Sequence, residues 1–85
     1  GIDFIEKELV RPDGTTIRRR RRALGWSRRK LSSAIAEATR RSSGLSQTVS
    51  PNLLVAVEEQ NESIPYSTLC LIANGLECNP VILLS

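Results

Sequence analysis

The chain has 85 residues, no histidine, two cysteines and a formal net charge of +3. This length allows one small hydrophobic core, and 40% apolar with 25% charged residues is typical of a folded domain. Without histidine we find no nucleophile–base pair and no four-ligand zinc site, so the composition argues against an enzyme and against a metal or other cofactor. No apolar run reaches the roughly 18 residues of a membrane-spanning helix, so we expect no membrane partner.

The charges are distributed unevenly along the chain. Residues 1–10 sum to −2, residues 11–41 to +9, and residues 42–85, which contain no Lys or Arg, to −4. The middle stretch holds five consecutive arginines and two further basic clusters. This concentration of positive charge indicates a polyanionic partner, and double-stranded DNA is the first candidate. The alternative is a solvated helix face, because arginine is a good helix former.

The N-terminal segment, residues 1–14, is predicted to be an arm set off from the main body. Residues 2–10 combine a broken alternation with some helical spacing, and an extended arm is our preferred interpretation. The sequence Arg-Pro-Asp-Gly at 11–14 is typical of a turn, because proline fixes φ and glycine permits positive φ. Residues 15–85 are then the main domain.

The first two helices of that domain have recognisable ends. Thr15 or Thr16 can cap a first helix from about Ile17 to Leu24, with both of those apolar residues on its inner face and Gly25 as the stop. Ser27 caps a second helix that continues to about residue 41. Its apolar positions follow the i, i+3, i+4, i+7 pattern and are Leu31, Ala34, Ile35 and Ala38.

The first turn of the second helix has an unusual charge. Arg28, Arg29 and Lys30 lie at the positive end of the helix dipole, where acidic residues are normally favoured. Cations together with free N–H groups are suited to binding a phosphate, and we prefer this interpretation to simple screening by solvent.

Three further helices are predicted after a polar loop at 42–47. Ser50-Pro51 opens a third helix that ends near Gln60, and Ile64-Pro65 separates it from a fourth. A short fifth helix covers 81–84. The predicted core residues are Trp26, Leu31, Ile35, Leu54, Val57, Leu69, Ile72 and Leu76.

A series of short motifs extends over residues 17–84. They are Gly25-Trp26-Ser27 followed by Leu31, then Val49-Ser50, Val57-Glu58, Ile64-Pro65 and the segment IPYSTLCLIANGL. This series resembles the Xre/Cro-type, lambda-repressor-like helix-turn-helix family. The resemblance implies an all-α, five-helix bundle, usually dimeric on DNA, with the third helix in the major groove and the second crossing the backbone.

The resemblance also implies roles for individual residues. Arg28 falls where the family contacts a phosphate, while Arg21 and Glu58 fall where it has a structural ion pair. The groove-facing positions are Ser50, Pro51, Asn52, Leu53 and Ala56. With the basic clusters added, the candidate DNA-binding residues are Ser27, Arg28, Arg29, Lys30, Arg40, Arg41, Ser50, Pro51, Asn52, Leu53 and Ala56.

The chain departs from the family pattern in three places. About twelve extra residues lie between the second and third helices, and we expect an extra loop at about 36–47. Arg20 stands where an apolar residue is usual. The third helix contains few residues suited to reading bases: Asn52 can pair with adenine and Leu53 can touch a thymine methyl group.

Three functions are compatible with the sequence. The first is a DNA-binding transcriptional regulator of the repressor type, acting as a homodimer. The second is a protein-interaction module whose apolar third helix docks on a partner. The third is non-specific nucleic-acid binding through the arginine run. Because Cys70 and Cys78 give no sign of an oxidising compartment, we expect a cytoplasmic protein, and the apolar end of the chain suggests further domains of a longer parent chain.

Overall fold

The computed structural model describes residues 7–85. Within this range it contains four α-helices, two short strands and one 3-10 turn. Their bounds are β1 (Leu9–Val10), α1 (Gly14–Ala23), α2 (Arg28–Ser43), α3 (Pro51–Gln60), β2 (Ile64–Pro65), α4 (Tyr66–Leu76) and the 3-10 turn Pro80–Leu83. The domain is thus mostly helical, but it has four α-helices rather than the five expected. The predicted fifth helix is the 3-10 turn, and the two-stranded sheet was not predicted.

The core lies where α2 packs on α4 and α1 packs on α3. Its buried apolar residues are Val10, Ile17, Leu31, Ile35, Val49, Leu54, Val57, Ile64, Leu69, Ile72, Ala73, Leu76 and Leu83. Seven of the eight predicted core residues belong to this set, while Trp26 is half-buried and packs against its edge. The inward position predicted for Leu24 is wrong: α1 ends one residue earlier, and the Leu24 side chain is 47% exposed.

The segment before α1 is packed into the domain from residue 9 onward. β1 pairs antiparallel with β2, so that Val10 lies opposite Ile64, and both side chains are buried. Farther along, the Asp13 N–H donates to the Leu83 carbonyl at 2.6 Å. The expected separation of this segment from the main body is therefore incorrect for residues 9–14, and the Glu8 carbonyl also accepts from the Tyr66 N–H at 2.8 Å. Residues 1–6 of the predicted arm lie outside the described residues.

The first helix begins earlier than its sequence signals indicated. Asp13, rather than Thr15 or Thr16, is the N-cap, and its carboxylate accepts from the Thr16 N–H at 3.3 Å. Gly14 is the first helical residue and lies against the α3 backbone, where no side chain would fit. Its N–H donates to Asn61 Oδ1 at 3.0 Å. The predicted boundary between residues 14 and 15 thus falls inside the first turn of α1.

The second helix is longer than predicted. Ser27 caps it, as expected, by accepting from the Lys30 N–H at 3.1 Å. The helix continues to Ser43 and ends at Gly44, whose φ of 83° requires the left-handed conformation that glycine adopts without strain. Most of the predicted loop at 36–47 is therefore helix. Thr39 is buried near the end of α2, and its hydroxyl exchanges hydrogen bonds with the Gln47 backbone, which fixes the connection to α3.

The third helix begins as predicted. Ser50 is the N-cap, its hydroxyl accepts from the Leu53 N–H at 3.1 Å, and Pro51 occupies the first helical position. The helix ends at Asn61, which has a left-handed φ of 50°. In the described part of the chain, no helix has the length and apolar character needed to cross a membrane.

Candidate nucleic-acid interface

The site is built around one buried carboxylate, that of Glu58 on α3. Arg21 on α1 donates to both of its oxygens, through Nε at 2.7 Å and Nη2 at 2.8 Å. A third bond runs from Arg21 Nη1 to the Trp26 carbonyl at 2.8 Å, just before α2. The carboxylate raises the pKa of Arg21 through these hydrogen bonds, against the opposing effect of burial. The ion pair implied by the resemblance is present, and it connects α1, α3 and the start of α2.

Arg28, the expected phosphate-binding residue at the start of α2, is held by two carboxylates. Its Nε donates to Glu58 Oε1 at 3.2 Å, and its Nη2 donates to Glu59 Oε1 at 3.3 Å. The Arg28 side chain is 27% exposed, while that of Glu59 is 51% exposed. The guanidinium therefore lies at the surface, but it is not free in the structure.

The remaining basic residues of α2 divide between two sides of the helix. Arg29 and Arg40 are eleven residues apart, close to three full turns, so they share one side and are separated by about 16 Å along the axis. A surface cleft of about 390 Å³ on this side is lined by Ser33, Ala36, Glu37, Arg40 and Ser46. Ser32, on an adjacent stripe, contacts Thr48 at 3.2 Å between hydroxyl oxygens, so the loop that leads into α3 lies close to this side.

Lys30 and Arg41 lie on the side of α2 that faces α4. They line a second cleft of about 220 Å³ together with Trp26, Ala34, Glu37, Gly75 and Glu77. The Lys30 Nζ lies 5.9 Å from the centroid of the Trp26 ring, within the range of a cation–π interaction. Glu37 lines both clefts, but the second also contains Glu77, so it is less suited to a polyanion than the side that carries Arg29 and Arg40.

The predicted groove-facing residues of α3 differ in exposure. Ser50 and Asn52 are exposed, whereas Pro51, Leu53 and Ala56 are half-buried. Leu53 packs against the core, which leaves only part of its side chain for a partner. α3 contains no basic residue, so its surface offers hydrogen-bonding groups at its N-terminal end and the carboxylate of Glu59 near its C-terminal end.

Most of the positive charge is unpaired. Of the eleven basic residues between 11 and 41, only Arg21 and Arg28 form ion pairs with carboxylates within residues 7–85. On α1, Arg19, Arg20 and Arg22 are exposed and Arg18 is half-buried. The positive charge expected to face a polyanion is therefore available on both α1 and α2.

Sequence reasoning missed the contact between Glu59 and Arg28. A signal was available, because the expected Arg21–Glu58 pair places Glu58 inward, and the next residue on a helix then projects about 100° farther round toward the solvent. Sequence reasoning also missed the buried Thr39, because its hydroxyl bonds the Gln47 backbone in the connection to α3, eight residues along the chain.

The two cysteines do not form a disulfide. Burial raises the pKa of the Cys78 thiol, and the positive charge of Arg20 partly opposes this effect. Among residues 7–85 there is no group of three or more His, Cys, Asp or Glu side chains that could hold a metal ion.

Comparisons with known proteins add no family to this description. No family model matches the chain, and neither the curated proteins nor the solved structures contain a match. The class that the structure defines is a small, mostly helical domain with a two-stranded sheet. The helix-turn-helix family remains a prediction from the sequence.

Proposed function

We propose that this domain is a DNA-binding transcriptional regulator with a lambda-repressor-like helix-turn-helix arrangement. In this proposal α2 lies across the phosphate backbone and the first turn of α3 enters the major groove. The observation that carries the proposal is the exposed side of α2, where Arg29 and Arg40 form no ion pair within residues 7–85. The packing of α2 against α3 supports it, with hydrogen bonds from Arg28 to Glu58 and Glu59 on α3 and one between the hydroxyls of Ser32 and Thr48 in the loop that leads into α3.

The spacing on α2 suits a duplex backbone. Arg29 and Arg40 are about 16 Å apart, and the major groove is about 12 Å wide. Two long side chains at this separation can reach phosphates on both sides of a groove. Guanidinium groups bind phosphate oxygens through paired hydrogen bonds, so each contact adds orientation as well as charge.

Fewer residues can read the base sequence than can bind phosphate, and they lie at the start of α3. Asn52 is exposed in the first helical turn, and its amide can pair with the N6 and N7 atoms of adenine. The half-burial of Leu53 and Ala56 reduces what they can contribute. We therefore expect affinity to come mainly from phosphate contacts and specificity mainly from Asn52.

A homodimer and a cytoplasmic location complete the proposal. Dimers of this class bind two half-sites about one helical turn apart, which compensates for a recognition helix with few base contacts. Sedimentation of the free protein and of its DNA complex tests the stoichiometry.

The test is fluorescence anisotropy on a duplex selected from a random library and on a scrambled duplex, each at several salt concentrations. Arg29→Gln and Arg40→Gln should each weaken binding to both duplexes and reduce the slope of log K against log salt by about 0.9. Asn52→Ala should cost about 1–3 kcal/mol on the selected duplex and almost nothing on the scrambled one. Equal loss on both duplexes would remove Asn52 as a base-reading residue.

Arg19→Gln is the matched control, because it removes the same charge from an exposed position on α1. A loss as large as that of Arg29→Gln would favour non-specific binding through the arginine run. Absence of binding to any duplex would favour the second candidate, a protein-interaction module. The apolar surface for that role lies at Val81 and Ile82, which are 53% and 43% exposed, rather than on half-buried α3.

A further inference from the structure

We propose that Glu59 occupies the phosphate-binding guanidinium of Arg28 in the free protein, and that a bound phosphate must displace it. The inference rests on the proposed function, because it concerns how the start of α2 receives the DNA backbone. Glu59 then has a positioning role. Its carboxylate occupies the position of a phosphate on Arg28, so a polyanion must bind strongly enough to replace it.

The two carboxylates that hold Arg28 differ in burial and in the number of hydrogen bonds that they accept. The Glu58 side chain is fully buried, and Arg21 bonds both of its oxygens. It therefore anchors Arg28 Nε and fixes the orientation of the guanidinium. The Glu59 side chain is 51% exposed, and the bond from Arg28 Nη2 is the one hydrogen bond or ion pair that it makes within residues 7–85.

The donors of Arg28 are only partly used. A guanidinium has five N–H donors, and two of those on Arg28 are bonded in the described part of the chain. If Glu59 moves away, the guanidinium keeps its Nε bond to Glu58 and presents both terminal nitrogens to the solvent. A phosphate can then accept two parallel hydrogen bonds from an arginine that is already oriented.

The energetic balance allows this exchange. An ion pair with one half-exposed partner is weak, because solvent screens its charges. The bond from Arg28 to Glu59, at 3.3 Å, is also longer than a strong charge-assisted bond. A phosphate group with more acceptor oxygens and more negative charge can therefore replace the carboxylate, while a weaker anion gains little from doing so.

The experiment compares Glu59→Gln with Glu62→Gln in the full chain. Both substitutions remove one negative charge near the end of α3, but Glu62 forms no hydrogen bond or ion pair with Arg28. We expect Glu59→Gln to bind duplex DNA about two- to fivefold more tightly than Glu62→Gln, the range expected for loss of an exposed ion pair. In an Arg28→Gln background, the two variants should bind equally. A persistent difference there would place the effect outside Arg28 and overturn the proposal.

A second measurement does not depend on DNA. Pyrophosphate is titrated into the protein while the NMR resonance of the Arg28 Nε–H group is followed. Glu59→Gln should saturate at about two- to fivefold lower pyrophosphate than Glu62→Gln. This measurement needs no change at Arg28, so it decides the question even if Arg28→Gln fails to fold.

The outcomes separate the two proposals. If no duplex binds but pyrophosphate distinguishes the variants as expected, the DNA-binding function fails and the role of Glu59 stands. If DNA binds and the two variants behave alike in both measurements, the role of Glu59 is wrong and the DNA-binding function stands.

Discussion

Replacing Arg21 by methionine should destabilise the domain strongly, because the buried Glu58 carboxylate loses two of its three hydrogen bonds. Breaking a buried pair by removing one partner typically costs about 3–5 kcal/mol. We expect a value near 3 kcal/mol here, since Arg28 still donates to Glu58 at 3.2 Å. Glu58→Leu should cost at least as much, because the Arg21 guanidinium then keeps one bond, to the Trp26 carbonyl.

The double variant, Arg21→Met with Glu58→Leu, should be much less damaged than the two single losses added together. Replacing both charges by apolar side chains of similar size leaves no unpaired buried charge, and such replacements are often close to neutral. Because Arg28 also loses its bond to Glu58, we expect the double variant to lose about 3 kcal/mol, against about 6 kcal/mol for the two single losses added together, which gives a coupling energy of about 3 kcal/mol. A coupling energy this large would show that the pair acts as one structural unit.

Urea unfolding at low temperature measures these energies. A domain of this size has a stability of roughly 4–13 kcal/mol, so each single variant should retain a measurable folded population. The chain has one tryptophan, Trp26, which is half-buried and whose carbonyl accepts from Arg21, so its fluorescence reports on this site. Arg22→Met, at an exposed neighbouring position, should change stability by less than about 0.5 kcal/mol. Additivity of the two single losses within about 0.5 kcal/mol would refute the reasoning.

Three further predictions concern packing and ionisation. Leu69→Ala should cost about 2–5 kcal/mol in urea unfolding, because the side chain is fully buried; a loss below about 0.5 kcal/mol would contradict its core position. Gly14→Ala should cost about 1–3 kcal/mol, because the new Cβ would press on two α3 carbonyls, whereas Thr15→Ala at the exposed neighbour should be nearly neutral. Because burial raises the Cys78 pKa, the folded state holds this proton more tightly, and stability present below about pH 9 should decline as pH rises through the folded pKa. Cys78→Ala should show a smaller decline above pH 9, and an unchanged decline would exclude this thiol as a cause.

Local signals in the sequence located most of the helices. Ser27 and the Ser50-Pro51 pair are N-terminal signals that depend on hydrogen bonds within one helical turn, and both helices begin where these signals lie. The apolar stripes of α2, α3 and α4 also identified most of the core, because helical periodicity puts such residues on one face whatever the partner is.

The candidate site was predicted in part. Opposite charges at Arg21 and Glu58 could be assigned through the resemblance, and the structure contains that pair. The ion pairs of Arg28 could not be predicted, because its bonds to Glu58 and Glu59 require α2 and α3 to lie side by side. Surface charge read along the chain does not show which cations already have partners.

By itself, the sequence determined the cationic middle, the starts of α2 and α3 and the helical faces that meet in the core, since all of these follow from composition or from contacts within a few residues. The tertiary structure alone decided three features. They are the pairing of β1 with β2, the hydrogen bonds between Thr39 and the Gln47 backbone, and the ion pair of Arg28 with Glu59. Each depends on contacts between groups that are distant along the chain. These contacts form only once the helices have packed, so their free energy cannot be inferred from a local stretch of sequence.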